Sequence, residues 1–363
     1  MTKQTLDQLY AGHRGKVSDK WSSYLSEYGR IFDEYRDKPV TLLEIGVQNG
    51  GSIEVWTKFF VNAQKFVGCD INPDCALLMY DDPRVAVIIG DANSDEVQSL
   101  VLQQAPVFDV IIDDGSHRSS YIVKSFARYF PQLADGGVFV AEDLHCSYWA
   151  EFEGGLFDPF SSISFFKRLV DIVNHEHWGI DKARSDVLRG FFLNSNFQID
   201  EEVLSHIHSI EFVNSMCVVR KESPQKNSLG IRFFSGIDEV VVPRGLTQHS
   251  STSSTPSQVG NEWTALIIPP DEDFLRLEKE ITTRDEQIAL LITSKEMILK
   301  SLTHLEKDKD DLEKEIDKRD GQIAFLTSSM DMILNSLSWR ITKPLRFVRN
   351  LNLVKRILRL FDI

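Results

Sequence analysis

From Phe274 to Leu337 the chain repeats its apolar positions at alternating spacings of three and four residues. Leu277, Ile281, Ile288, Leu291, Ile323 and Leu326 are typical of this seam, and only Arg284, Lys295, Lys309 and Arg319 are charged on it. An unbroken heptad register of this length predicts one continuous helix that buries its seam against another helix, as in a coiled coil. Leu277-Glu-Lys-Glu-Ile281 recurs as Leu312-Glu-Lys-Glu-Ile316, and Met297-Ile-Leu299 as Met332-Ile-Leu334. Both offsets are 35 residues, five whole heptads, so the two copies share one face. Ile and Leu mix at both seam positions, which leaves a parallel dimer and a trimer open, while Lys295 and Lys309 lean toward the dimer. At ~1.5 Å per residue the rod is roughly 95 Å long. The alternative is a helical hairpin folded back on a core.

Charge divides the chain unevenly. Its 54 Asp and Glu outweigh 40 Lys and Arg, a net charge of -14, which argues against a nucleic-acid binder. Residues 338–363 reverse the sign, with seven basic residues and the single acid Asp362. There Leu345, Val348, Leu351, Val354, Ile357 and Phe361 fall at helical spacing. A basic amphipathic helix of this kind is expected to lie in an anionic membrane interface, or else to dock on a partner protein. No apolar run is long enough to span a bilayer, and Met1–Tyr10 has no apolar signal-peptide core. Cys69, Cys75, Cys146 and Cys217 follow no zinc or redox spacing, so free thiols in a reducing cytoplasm are expected. The Ser/Thr-rich stretch Thr247–Gly260 reads as a mobile linker.

The first 245 residues follow another rhythm. Thr41–Val47, Phe66–Ile71, Val85–Ile89, Phe108–Asp113 and Gly137–Ala141 are short, rich in β-branched and aromatic residues, and bounded by Gly, Asp or Pro. Helix-period stretches at Ser52–Phe60, Asp95–Gln104 and Ser119–Phe130 lie between them. Strand and helix in alternation predict an α/β fold, a Rossmann-like, mostly parallel sheet with helices on both faces. Ile207–Phe212 and Met216–Arg220 predict a closing antiparallel hairpin, for seven strands in all. The domains expected are therefore a catalytic domain over 1–245, a linker over 246–270, a coiled coil over 271–337 and a basic tail over 338–363.

Chemistry-bearing residues gather at the predicted carboxyl ends of the strands, where doubly wound sheets bind ligands. The first strand runs into Glu44-Ile-Gly46 and Gly50-Gly-Ser52, whose glycines let a ligand approach the backbone. Asp70 ends the second strand, where a carboxylate can accept ribose hydroxyls. Asp91 follows the third, where it can meet an adenine amine. Each acid alone is equally a helix cap; Glu44, Gly46, Asp70 and Asp91 together read as an adenosyl site. After the fourth strand comes Asp113-Asp-Gly-Ser-His117, and after the fifth Glu142-Asp143. Neighbouring strand ends would bring Asp114, Glu142 and Asp143 together as three hard oxygen ligands suited to Mg²⁺. His117, three residues beyond Asp114, is the candidate general base. Tyr148 and Trp149 either wall a sugar pocket or pack in the core.

Leu43-Glu-Ile-Gly46, Gly50-Gly-Ser52, Asp113-Asp-Gly-Ser-His117 and Glu142-Asp-Leu144 resemble segments of class I S-adenosylmethionine-dependent methyltransferases. Within that class the chain is similar, over roughly Thr5–Arg220, to the metal-dependent sugar O-methyltransferases of the macrocin and mycinamicin type. The resemblance implies S-adenosyl-L-methionine as cosubstrate, bound by Glu44, Gly46, Gly50, Ser52, Asp70 and Asp91. It implies Mg²⁺ on Asp114, Glu142 and Asp143, with His117 as base. A methyltransferase followed by a coiled coil and a basic tail also resembles bacterial enzymes that cap O-antigen chains. Ser338-Trp-Arg-Ile-Thr-Lys-Pro-Leu345 is similar to a sequence of cell-surface polysaccharide enzymes. This second resemblance implies a lipid-linked glycan acceptor, self-association through the coil, and a place on the inner face of the cell membrane beside a glycosyltransferase or glycan exporter. No kinase motif is present, which favours a methyl ether on a terminal sugar hydroxyl over a methylated phosphate. A tailoring enzyme for a soluble glycoside and a non-catalytic scaffold are the alternatives.

Overall fold

The computed structural model describes residues 3–195, 197–233, 235–238, 240–241, 255–266 and 270–336. The predicted basic tail over 338–363 lies outside them. The chain divides into two compact units, Met1–Arg276 and Leu277–Ile363.

The first unit is built on a seven-stranded sheet of β1 (Thr41–Ile45), β2 (Lys65–Asp70), β3 (Val85–Ile89), β4 (Phe108–Asp113), β5 (Leu133–Ala141), β6 (Ile207–Val213) and β7 (Met216–Lys221). Their order across the sheet is β3-β2-β1-β4-β5-β7-β6. β1 to β5 pair in parallel, and β7 enters antiparallel between β5 and β6, so the predicted hairpin closes the sheet. The early helices are α1 (Leu6–Gly12), α2 (Ser22–Phe32), α3 (Gly51–Phe59), α4 (Asp95–Gln104), α5 (Ser119–Tyr129) and α6 (Ser162–Val173).

The continuous apolar runs of β1 and β4 follow from burial on both faces. Leu42, Val110 and Ile112 join the core layer that holds α2 and α3, while Leu43 and Ile111 join the layer that holds α5 and α6. In the first layer Tyr28 stacks on Phe32 at 4.8 Å between ring centroids and meets Trp56 edge-on at 5.3 Å. In the second, Phe126 lies 4.7 Å from Phe130, 5.1 Å from Phe139 and 5.5 Å from Phe165.

One expectation changes. The described part of the predicted mobile linker is tied to the first unit. Thr255 Oγ1 donates to the Glu176 carbonyl at 2.9 Å, and the Gln258 N–H to that of Gly179 at 2.8 Å. Backbone partners of this kind hold a polar stretch in place despite its composition. As the heptads predict, a single helix runs Pro270–Asn335, so these residues do not fold back as the alternative hairpin. Its seam residues Leu277, Ile281, Leu291 and Ile323 are exposed. No helix among the described residues is long and apolar enough to cross a membrane.

Phe126 is fully buried among four other rings, so Phe126→Ala is expected to cost about 3–5 kcal/mol in urea unfolding. A loss below 1 kcal/mol would show that the second core layer does not depend on it.

Candidate active site

Strand order reverses between β1 and β4, and the crevice opens there, at the carboxyl ends. Two cavities share it. One, of about 160 Å³, is lined by Gly46, Asp70, Asp91, Asn93, Asp113 and Ser125, among others. The other, of about 300 Å³, is lined by Lys20, Ser52, Asp114, His117 and Asp143, among others. Gly46, Asp70 and Gly115 belong to both.

Gly46 is where the β1 and β4 turns meet. Its φ is +90°, and a Cβ there would sit 2.0 Å from the Asp114 carbonyl oxygen. Only glycine tolerates both conditions. Asp70 then shapes the loop beyond it. Its Oδ2 accepts the N–H groups of Val47 and Gln48, each at 2.8 Å, and its Oδ1 that of Asn72 at 2.9 Å. Asp91 Oδ1 accepts the N–H of Asn93 at 2.9 Å.

Not every residue predicted for the adenosyl site reaches a cavity wall. Glu44 is fully buried beneath the loop, where Oε2 accepts from Ser52 Oγ at 2.8 Å and Oε1 from Trp56 Nε1 at 3.3 Å. Gly50 caps α3 at φ +80° and accepts from Tyr80 Oη at 2.9 Å. Both act on the loop's shape. Ser52 lines the larger cavity and links it to Glu44.

The smaller cavity carries a second signal. Asn93 Oδ1, Asp113 Oδ2 and Ser125 Oγ are buried side-chain atoms without a well-formed hydrogen bond, although the Ser125 hydroxyl faces Asp113, and all three residues line it. Burial pushes the Asp113 carboxyl up to about 7. Unpaired buried polar atoms cost free energy, so three in one cavity fit a ligand that brings its own donors and acceptors.

In the larger cavity, ligand atoms of Asp114, His117 and Asp143 lie within 4.8 Å of one another. His117 (φ +58°) and Asp143 (φ +53°) are both held in the left-handed region, unusual for side-chain-bearing residues and typical of functional sites. His117 Nε2 lies 3.7 Å from Asp143 Oδ2. Asp143 Oδ1 accepts from Tyr24 Oη at 2.8 Å and Trp21 Nε1 at 3.1 Å. Glu142, placed with Asp114 and Asp143 by sequence, is buried beside Asp114, its Oε1 accepting from Tyr28 Oη and from Lys20 Nζ, the latter at 2.6 Å. Lys20 Nζ also donates to Asp114 Oδ2. Burial alone would lower the lysine's pKa, but the carboxylates of Glu142 and Asp114 hold it well above its ordinary value. The carboxylates of Asp114 and Asp143, with the buried Glu142 beside Asp114, fit a hard divalent cation, and His117 stands next to them.

The residues invisible to sequence reasoning are Lys20, Trp21, Tyr24 and Tyr28. All come from the start of α2 and the strap before it. Lys16 anchors that strap through its N–H and Nζ to Glu54, at 3.0 and 2.6 Å. The Gly51 N–H donates to the Val17 carbonyl at 3.1 Å. The available signal was Tyr24 and Tyr28 one turn apart on an apolar helix face, since buried tyrosine hydroxyls need partners.

Strand order, crevice and site together define a class I, Rossmann-like methyltransferase fold. No family model matches the chain. It is 36% identical over 172 residues to the 8-demethyl-8-alpha-L-rhamnosyl tetracenomycin-C 2'-O-methyltransferase of Streptomyces olivaceus, covering 44% of each chain. It is 35% identical over 173 residues to the mycinamicin VI 2''-O-methyltransferase of Micromonospora griseorubida, covering 45% of this chain and 42% of that one. The demethylmacrocin O-methyltransferase of Streptomyces fradiae is 33% identical over 183 residues, with 47% and 45% covered. The chain thus spans less than half the length of these curated relatives, which are sugar O-methyltransferases. Among solved structures it is similar to the MycE methyltransferase of the mycinamycin pathway in complex with Mg, SAH and mycinamycin VI. That match has a TM-score of 0.51 and 25% identity, and covers 68% of this chain and 58% of the other. Crystal form 1 of the same enzyme, with Mg and SAH, gives 0.52 and 26%, with 68% and 59% covered.

Burial raises the Glu44 carboxyl from 4.5 to about 7. A carboxyl with a raised folded-state pKa contributes stability below its unfolded value, and that contribution is lost as pH climbs from 4.5 through 7. Glu44→Gln keeps an acceptor for the Trp56 indole, while the Ser52 hydroxyl can turn to accept from the amide, and is expected to gain about 3 kcal/mol at pH 8, the gain shrinking toward pH 4.5. Urea unfolding at several pH values measures this; a gain that does not vary with pH would contradict it.

Proposed function

We propose that the first unit transfers a methyl group from S-adenosyl-L-methionine to a sugar hydroxyl, with Mg²⁺ bound beside the acceptor. The observation that carries this reading is the pair of adjoining cavities. One has acids and unpartnered acceptors for an adenosyl group; the next has a base among carboxylates. The sugar O-methyltransferase relatives support it.

In this reading Asp70 and Asp91 face the ribose and the adenine, and Gly46 lets the cosubstrate lie against the backbone. Asp114 and Asp143, together with the buried Glu142, would hold the metal ion. When bound, the ion lowers the pKa of the sugar hydroxyl and orients it. His117 Nε2 takes the hydroxyl proton, and Asp143 stabilises the imidazolium that results. The sugar oxygen forms a bond to the methyl carbon as the sulfur–methyl bond breaks. The products are a methyl ether, S-adenosylhomocysteine and a proton on His117. The acceptor class is the sugar of a glycoside, as the relatives' names suggest, which favours a tailoring role.

Transfer of labelled methyl to methyl glycosides tests the reading. His117→Ala is expected to lose about 10²–10⁴-fold in rate with S-adenosylhomocysteine binding kept. EDTA should stop the reaction and Mg²⁺ restore it. A full-rate His117→Ala enzyme, or a wild type that does not bind S-adenosylhomocysteine, would sink it.

A second reading has one observation in its favour, the 66-residue helix with its apolar heptad seam exposed. Such a helix suits self-association as a parallel coiled coil that spaces the enzyme from a membrane while it caps a surface polysaccharide. Removing the five heptads between Leu277 and Leu312 would then shorten the polymer in cells. Unchanged glycan lengths would leave the tailoring role alone.

A further inference from the structure

We propose that an arc of aromatic rings beside His117 forms a second sugar-binding subsite, which takes the residue next to the acceptor sugar. This rests on the sugar methyltransferase reading and narrows it to acceptors of at least two sugars.

The arc begins at the proposed base. His117 lies 6.5 Å from Phe152 between ring centroids, and Phe152 lies 6.0 Å from Trp149. Trp149 meets His145 at 5.1 Å, and His145 meets Trp21 at 6.0 Å. Trp21 Nε1 then donates to Asp143, so the arc starts and ends on the same acid–histidine cluster. These rings are not core. Trp149 is 47% exposed and Trp21 58%, and neighbouring Tyr148 is 40% exposed. Large apolar faces left open around a polar cleft mark a contact surface.

The arc is also rigid before any ligand arrives. The Gly154 N–H donates to the Trp149 carbonyl at 3.1 Å, and that of Gly155 to Ser147 at 3.0 Å. A Cβ on Gly154 would sit 2.0 Å from the Ser147 carbonyl oxygen. Glu153 pins the end of the loop, accepting from Arg118 Nε at 2.9 Å and from the Ser120 N–H at 3.1 Å. Prepaid ordering of this kind favours binding.

The chemistry of the arc selects a sugar over an apolar aglycone. Its rings alternate with polar groups, namely the two imidazoles, Asp143 and Ser215, whose Oγ bonds His145 Nδ1. A pyranose offers both matching surfaces, a C–H face for the indole and hydroxyls for the polar rim. The exposed rings of Trp149 and Trp21 flank the His117–Asp143 pair, so a glycan whose terminal hydroxyl reaches His117 carries its next residue past them.

Calorimetry on the full chain with S-adenosylhomocysteine and Mg²⁺ tests this. The probes are methyl glycosides of rhamnose, mannose and galactose, the corresponding disaccharides, and their octyl glycosides. The wild type should bind a disaccharide about tenfold more tightly than its monosaccharide. Trp149→Ala should erase that gain and leave monosaccharide affinity unchanged, and Trp149→Tyr should restore most of it. Phe152→Leu gives an independent reading if Trp149→Ala fails to fold. No disaccharide gain in a wild type that binds monosaccharides would overturn the subsite and leave the proposed function standing. Equal weakening of both ligands in Trp149→Ala, or a larger gain from the octyl chain, would overturn it too. Failure of every sugar while S-adenosylhomocysteine binds would overturn the sugar acceptor and the subsite together.

Discussion

The Lys20 ammonium between Asp114 and Glu142 is the interaction on which the site depends. Lys20 and Glu142 are almost wholly removed from solvent, with side chains 2% exposed. Removing one partner of a buried pair leaves a charge without compensation, a loss of about 3–5 kcal/mol. The pair also joins distant parts of the chain, because a strap before α2 reaches the ends of β4 and β5. Once Lys20 is seated, Trp21 follows at the start of α2 and Tyr24 and Tyr28 on its turns. Their hydroxyl and indole groups then orient Asp143 and Glu142.

The neighbouring cavities work as one crevice because a few residues serve both. Gly46 lets the β1 loop pass over the β4 turn at a distance no side chain permits. Asp70 spends its oxygens on backbone N–H groups and so fixes the wall common to the two cavities. A methyl donor in one cavity and an acceptor in the other would thus be positioned by the same loop. In-line transfer needs that proximity.

Much of the fold was legible in the sequence because hydrophobic period reports burial directly. β3 and β4 begin and end at the predicted residues, and so does α4, because Gly, Asp and Ser punctuate their ends. β5 starts earlier than expected, at Leu133. Leu133 pairs with Phe108 and Val138 with Val110, and Ala134, Asp135 and Gly136, which lack strand propensity, fall in the irregularity between those two pairs. The heptads likewise announced one helix. In the site, Asp70, Asp91, Asp114, His117 and Asp143 were legible since each follows a strand whose carboxyl end faces the crevice.

What the sequence determined by itself was therefore local: the alternation of strand and helix, the long helix, and which acids sit at strand ends. Only the tertiary structure decided how those acids are used. It turned Glu44 inward, joined Glu142 to Asp114 through Lys20, and brought Asp114, Asp143 and His117 together. It also settled Trp149, an open question in sequence, as a half-exposed ring beside the site. The physical reason is distance along the chain. Period and propensity act over a few residues, whereas Lys20 meets Glu142 across 122 positions, and no local pattern encodes a contact that only the packed sheet creates.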